Sequence, residues 1–313
     1  MNPMKILCIG TTPAVQRLMI FRKLTLDAVN RAMTTLEGAA GKSINTAKVL
    51  KVLGEQPVAT GFLGGDRGEF LQRALAEQGV ESDFVTVSTR TRQCITVIDE
   101  SAGTHTELVE ESRPVAAADF DKLMAVIRRQ APDCRALVMS GTIVTGGPAN
   151  LYFECARLAT STGVLSVVDG QGAALLAALP AKPGLVKPNR TELAATLGLE
   201  LKDDAGLRKA MREVCERGAK RVVVTAGKEP ALAFDGKVFW QVLPPRIKPV
   251  NPIGSGDAFT AGLVSRLVRG DDLGEACRWG TAAGTANALT PMPGEVNPAD
   301  VRRLVGEIET RKT

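Results

Sequence analysis

A chain of 313 residues exceeds one typical domain and falls short of three. Apolar residues make up 44% of it and aromatics only 4%, so the core must be built from Ala, Val, Leu and Ile, a diet that suits a parallel sheet covered by helices on both faces. The 39 Lys and Arg against 34 Asp and Glu leave a net charge of +5 with no long basic run, which argues against nucleic acid as a partner and leaves small acidic substrates open.

Residues 1–10 hold one Lys and a short apolar run, Ile6-Leu7-Cys8-Ile9, too brief for a signal peptide and readable as a buried strand ending at Gly10. Residues 43–53 read as a helix, with Ile44, Ala47, Leu50 and Leu53 on one face and Gly54 as its stop. A strand over 58–62 and a helix over 69–78, capped by Gly79, follow. Further strands are expected at 136–139, 164–168, 185–186 and 221–225, with helices between them, for example 148–159 and 205–217. This β-then-α rhythm predicts a doubly wound, mostly parallel α/β sheet.

Two stretches break the rhythm. Residues 17–36 and 92–109 carry β-type alternation without an intervening helix, clearest in Gln93-Cys94-Ile95-Thr96-Val97-Ile98. They are expected to pair into a small second sheet, an excursion from a single domain spanning 1–313 rather than a tethered module. No stretch approaches the roughly 20 apolar residues of a membrane span. The six cysteines show no CxxC spacing and read as reduced residues of a cytoplasmic protein. The single histidine, His105, argues against a Ser-His-Asp triad or a His-rich zinc site.

The strongest chemical signal is Asn251-Pro252-Ile253-Gly254-Ser255-Gly256-Asp257 before a small-residue helix. Gly254 and Gly256 let the backbone turn tightly and expose its N–H groups, and the helix adds its own unpaired N–H groups and positive dipole end. Together they form an anion hole suited to a phosphoryl group in transfer. Asp257, in the first helical turn, is placed to take a proton from an attacking hydroxyl. The bland reading is a Gly-rich turn with an acidic residue favouring a helix N-terminus. In Lys187-Pro188-Asn189-Arg190-Thr191-Glu192, Asn189 and Glu192 share a helix face and can jointly orient the waters of a Mg²⁺ ion; the same spacing is that of a capping box, and the two readings are compatible. In Gly41-Lys42-Ser43-Ile44-Asn45, small residues let a sugar approach the backbone and Asn45 offers both a donor and an acceptor; a plain Gly turn and helix start is the alternative.

These segments, in this order, resemble the signatures of the ribokinase-like PfkB carbohydrate kinase family. Gly254-Ser255-Gly256-Asp257 resembles its Gly-Ala/Ser-Gly-Asp motif, residues 41–47 its early Gly-Gly-Lys-Gly-x-Asn-x-Ala motif, and residues 187–192 its Lys-Pro-Asn-x-x-Glu motif. Val222-Val223-Val224-Thr225-Ala226-Gly227 resembles the strand-turn that holds nucleotide phosphates. Val29-Asn30-Arg31 and Thr285-Ala286-Asn287-Ala288-Leu289-Thr290-Pro291 resemble the 1-phosphofructokinase and tagatose-6-phosphate kinase branch. The resemblance spans essentially the whole chain.

It implies in-line transfer of the ATP γ-phosphoryl group to a sugar hydroxymethyl group, with Asp257 as base, N–H groups of Gly254, Ser255, Gly256 and Asp257 stabilising charge, and Mg²⁺ near Asn189 and Glu192, reached through water. A monovalent cation is a further requirement left open. Lys187, Asn189, Thr225 and Gly227 are expected around the ATP phosphates, and Thr281 and Thr285 near the nucleotide base. Gln16, Arg31, Gly41, Lys42, Asn45, Arg92 and Thr142 are expected around the sugar. Three cations, Arg31, Lys42 and Arg92, are costly to cluster without an anion between them, which points to a phosphorylated ketohexose, foremost fructose 1-phosphate, then fructose 6-phosphate or tagatose 6-phosphate. The alternative for Arg92 is a solvated surface residue. The second sheet, about 12–36 and 90–110, is expected to act as a lid that excludes water and to offer a face for a homodimer.

Several positions depart from the family pattern. Gln16 stands where the branch carries an Asp that binds sugar hydroxyls. Ala40 and Ser43 replace glycines, Val144-Thr145-Gly146-Gly147 replaces a Pro-Pro-Gly turn, and Pro230 stands where a Gly is usual. A kinase for an unphosphorylated sugar or nucleoside stays open, as does a non-catalytic ligand-binding relative. A dinucleotide-binding oxidoreductase is disfavoured, because the turn after the first strand, Gly10-Thr11-Thr12-Pro13-Ala14, is not GxGxxG.

Overall fold

Ile6, Leu7, Cys8 and Ile9 lose all exposure because they form an interior strand of a large sheet with apolar clusters on both faces. The structure is a computed structural model and describes residues 4–313; Met1, Asn2 and Pro3, part of the segment read above as no signal peptide, lie outside the described residues. The strands are β1 (Lys5–Gly10), β2 (Ala14–Phe21), β3 (Thr34–Ala40), β4 (Pro57–Leu63), β5 (Glu81–Ser82), β6 (Val85–Thr86), β7 (Arg92–Asp99), β8 (Thr104–Val109), β9 (Cys134–Ser140), β10 (Leu165–Asp169), β11 (Leu185–Val186), β12 (Val222–Ala226), β13 (Glu229–Phe234), β14 (Phe239–Leu243) and β15 (Glu309–Lys312). The helices are α1 (Lys42–Val52), α2 (Gly65–Glu77), α3 (Ala117–Gln130), α4 (Leu151–Ser161), α5 (Gly172–Ala178), α6 (Arg190–Leu197), α7 (Asp204–Glu216), α8 (Ser255–Leu267), α9 (Leu273–Ala288) and α10 (Pro298–Glu307).

The large sheet runs β15-β14-β13-β12-β11-β10-β9-β1-β4-β5, with β6 also on β4. From β12 to β5 every pairing is parallel, as the β-then-α rhythm predicts. Beyond β12 the sheet continues through three antiparallel strands, β13 to β15, which the sequence reading does not contain. The helix expected at 69–78 begins four residues earlier, because Gly65 enters it with φ +66°, a conformation only glycine adopts without strain.

The expected second sheet forms, in the order β3-β2-β7-β8, with β2 and β7 parallel and the other pairs antiparallel. Residues 17–36 supply two strands and a loop rather than one β segment. One face of this sheet packs Leu18 and Ile98 on Met292 of the main body. All six cysteines are free, and five are buried; burial pushes the Cys8 thiol far above its ordinary value. Among the described residues no helix is long and apolar enough to cross a membrane. The C-terminal ends of β1, β10, β11 and β12 open beneath the small sheet, the crevice where open α/β sheets bind ligands.

Candidate active site

A cavity of about 310 Å³ lies between the two sheets. Its main-body wall is built on two helix N-termini. Gly41, at φ +110°, turns the chain from β3 into α1; a side chain there would collide with Pro13, 2.9 Å from where its Cβ would sit. Gly254, at φ +86°, turns the chain into α8. The N–H groups of Ser255 and Asp257 turn back onto the carbonyls of Pro252 and Gly254, at 3.2 and 3.1 Å. Those of Gly254 and Gly256 have no protein partner among the described residues. The expected anion hole therefore rests on Gly254 and Gly256 rather than on every N–H group from 254 to 257.

Asp257 lies in the first turn of α8 and is 6% exposed. Burial pushes its carboxyl up to about 6, against the attraction of Lys42 and the hydrogen bond from Asn45. Asn45 Nδ2 donates to Asp257 Oδ2 at 2.8 Å, and Asn45 Oδ1 is buried without a partner. A carboxylate near neutrality beside free N–H groups is suited to accept a proton as charge builds on a neighbouring phosphoryl group.

Asp169, the last residue of β10, is fully buried beneath this wall. Its Oδ1 lies 3.3 Å from Lys187 Nζ and 3.4 Å from Lys42 Nζ, and its Oδ2 accepts from the Thr260 hydroxyl at 2.5 Å. Burial pushes its carboxyl up, but the two ammonium groups and the hydroxyl outweigh it and hold the group below its usual range. Asp169 is absent from the expectations above; the signal was an acidic residue ending an apolar strand run at the sheet's ligand-facing edge.

Lys42, expected at the sugar, lines the cavity, and its ammonium spans Asp169 and Glu192, 3.4 Å from each; its pKa is raised chiefly by Asp169. Glu192 and Asn189 form the full capping box of α6: Asn189 Oδ1 accepts from Glu192 N, and Glu192 Oε2 from Asn189 N, both at 2.8 Å. Among the described residues no group of three or more His, Cys, Asp or Glu side chains is arranged to hold a metal ion. Mg²⁺ commonly takes one or two carboxylates and completes its shell with phosphates and water, and Glu192 Oε1, already facing a cation, fits that pattern.

Gln16, Gly41, Lys42, Asn45, Arg92, Lys187, Asn189, Glu192, Thr225, Gly254, Gly256 and Asp257 all line the cavity. Thr225 of β12 meets Asn189, which stands just before α6, through an isolated parallel bridge. Arg92 donates to the Thr12 carbonyl at 3.1 Å, and its buried Nε has no partner. Other expected residues stand apart. Arg31 lies in the exposed loop between β2 and β3, so the expected cluster of three cations is reduced to two at the cavity. Thr142 is exposed, and only its carbonyl is engaged, by the Thr11 hydroxyl. Gly227 supplies a φ of +61° to the turn between β12 and β13 and does not line the cavity. Thr281 and Thr285 are buried on α9, where Thr281 bonds the Cys277 carbonyl. Ser255 contributes its position in the turn rather than a surface of the cavity.

A buried carboxylate beside an N–H cradle, faced by lysines on a second carboxylate, is an arrangement suited to phosphoryl transfer. The model for the pfkB family carbohydrate kinases matches residues 4–300, and the chain belongs to that family. It is 30% identical over 307 residues to a tagatose-6-phosphate kinase of Staphylococcus epidermidis, covering 97% of this chain and 98% of the relative. The structure of phosphofructokinase-2 from Escherichia coli in complex with potassium superposes with a TM-score of 0.89 at 29% identity, covering 98% of this chain and 99% of that one. That of a possible 1-phosphofructokinase from Thermotoga maritima superposes at 0.91 over 99% of both chains; at 24% identity it speaks for the fold alone.

Proposed function

We propose that the enzyme transfers the γ-phosphoryl group of ATP to a hydroxymethyl group of a phosphorylated ketohexose. The observation that carries this reading is Asp257, a buried carboxylate held at about 6 in the same cavity as the free N–H groups of Gly254 and Gly256. The acceptor oxygen attacks the γ-phosphorus, its proton passes to Asp257, and the bond from that phosphorus to the β–γ bridging oxygen breaks as ADP leaves. Gly254 and Gly256 meet the charge of the transferring group, and Lys42 and Lys187 stand where further negative charge arrives. Mg²⁺, held by Glu192 and through water by Asn189, would neutralise phosphate charge.

Arg92 supports a charged acceptor: its guanidinium lines the cavity and keeps a buried, unpartnered Nε. Fructose 1-phosphate is favoured by the branch-like segments 29–31 and 285–291, and tagatose 6-phosphate or fructose 6-phosphate by the relatives above 25% identity. The small sheet is read as a lid, because four of its residues, Gln16, Arg92, Cys94 and Glu107, face the cavity. Its other face carries partly exposed Met19, Ile95 and Val97 and exposed Leu108, which supports a homodimer through that face. A monovalent cation is a further proposed requirement, and the buried free cysteines fit a reducing cytoplasm.

The test is a coupled ADP-release assay. It compares kcat/KM for the three phosphorylated ketohexoses with that for free fructose, ribose and adenosine, in wild type and in Arg92→Ala. A charged acceptor is expected to be preferred and to lose more in the variant. Preference for an uncharged acceptor, or equal losses on both, would sink the reading.

A further inference from the structure

The small sheet offers the cavity one carboxylate. In the register of β2, β7 and β8, Gln16 pairs with Cys94, and Thr96, two residues on, pairs with Glu107. Paired residues, and residues two apart on a strand, share a face. Gln16, Cys94, Thr96 and Glu107 therefore share one face, and Gln16, Cys94 and Glu107 line the cavity.

These side chains divide the work of recognition unequally. Cys94 presents a buried thiol, a weak hydrogen-bonding group. Gln16 is 3% exposed, and its amide Nε2 is committed to the Thr96 hydroxyl at 2.8 Å, leaving Oε1 as a neutral acceptor. Arg92 is a donor only. Glu107 lines the same cavity, is exposed, and makes no ion pair or side-chain hydrogen bond among the described residues, although the Arg92 charge acts on it. Its strand is anchored two residues away, where His105 Nε2 lies 2.8 Å from the Val250 carbonyl in the segment leading to Gly254 and Asp257.

A polyhydroxylated acceptor brings several O–H donors and needs acceptors to receive them. An unengaged carboxylate on an anchored strand is the strongest acceptor this wall contains. We infer that Glu107 receives hydroxyl groups of the acceptor sugar and is a specificity-determining residue of the site; the inference rests on the sugar-kinase reading above. It assigns hydroxyl groups of the acceptor to Glu107 and Gln16 and leaves the phosphate to Arg92, whose positive charge also acts on Glu107.

The experiment measures acceptor KM, ATP KM and kcat for wild type, Glu107→Gln, Glu107→Asp and the double variant Gln16→Asp/Glu107→Gln, with melting temperatures to establish folding. Glu107→Gln is nearly isosteric on an exposed strand and keeps the fold testable. Exchanging a charged for a neutral acceptor is expected to raise the sugar KM about tenfold or more, with kcat and ATP KM within about twofold. Glu107→Asp and the double variant should each recover part of the loss, because each restores a carboxylate to the same face. An unchanged or lowered sugar KM in Glu107→Gln overturns the inference, as does a parallel rise in both KM values. If wild type turns over a free sugar and no phosphorylated ketohexose, the substrate reading fails while the same KM comparison, run on that free sugar, still decides the role of Glu107.

Discussion

Asn45 and Asp257 join the N-termini of α1 and α8 through one hydrogen bond of 2.8 Å. The amide donates, so it favours the ionised carboxylate and fixes which oxygen stays free to meet an acceptor hydroxyl. Burial works the other way and wins, which leaves Asp257 at about 6 rather than at 3.8.

Asp257 is a base only when ionised, so kcat is expected to be full above pH 6 and to fall about tenfold per unit below it. Asp257→Asn should lose about a hundred- to ten-thousandfold in kcat at every pH while ATP binding persists. The raised value also means that ionised Asp257 opposes folding above pH 6, a cost that vanishes below about pH 4, where both states are protonated. The variant should therefore melt higher than wild type at pH 8, by at most about 3 kcal/mol of stability, and the difference should close toward pH 4. Near-wild-type kcat in the folded variant would remove Asp257 from its role.

Glu192→Gln keeps an oxygen for the Asn189 N–H but loses the charge beside Lys42. The expected result is a higher Mg²⁺ concentration for half-maximal rate, with a smaller change in sugar KM. Stability should drop by no more than about 1 kcal/mol, the scale of a helix cap. A variant that melts earlier with an unchanged Mg²⁺ dependence would reduce Glu192 to a capping residue.

Gly256→Ala separates catalysis from folding. A Cβ at 256 meets nothing within 4 Å, so the melting temperature should hold while a methyl group enters the N–H cradle. Disturbing one oxyanion donor typically costs a hundred- to thousandfold in kcat. Gly254→Ala should destabilise instead, because its Cβ meets Pro293 Cβ at 2.7 Å and its φ is +86°. Equal melting losses in the two variants would contradict this division.

Glu55 is 4% exposed and accepts from Arg135 at 2.6 Å, Ser265 at 2.8 Å and Arg269 at 2.8 Å. It ties β9 to the far end of α8, the helix that carries Asp257. Glu55→Ala leaves two guanidinium groups without their carboxylate but within reach of water, and urea titration should show a loss of about 1–2 kcal/mol from the lost charged hydrogen bonds. The kcat of the folded fraction should stay near wild type; a collapse of kcat at unchanged stability would place Glu55 in the chemistry instead.

The parallel half of the fold was legible because the runs around 6–9, 136–139 and 164–168 alternate with 3.6-periodic helices. β13 to β15 were not, since β15 is a four-residue charged strand, Glu309–Lys312, whose pairing with β14 no local pattern announces. Gly41, Gly254 and Asp257 line one cavity at helix starts that the glycine motifs announce, because backbone conformation is encoded locally. Arg31, Thr281 and Thr285 stood outside the cavity because side-chain destination depends on loop path and helix rotation. Asp169 was missed because its meaning lies in Lys42 and Lys187, 127 and 18 positions away.

The small sheet meets the main body in two places. At one end Ala14 pairs with Ala40 on one side and Arg92 on the other, and all three stand at the ends of their strands. Lys48 holds the base of β3 to the turn beyond the cradle, bonding the carbonyls of Ala39 and Pro293 at 3.3 and 3.1 Å. Farther along, Leu18 and Ile98 pack on Met292, and His105 Nε2 lies 2.8 Å from the Val250 carbonyl. The row at Ala14 is continuous chain and backbone pairing, whereas the second seam is made of side chains alone. Any movement of the sheet that widens the cavity from its far end must first part the contacts at Met292 and Val250, so those side chains act as a latch and the Ala14 row as the hinge.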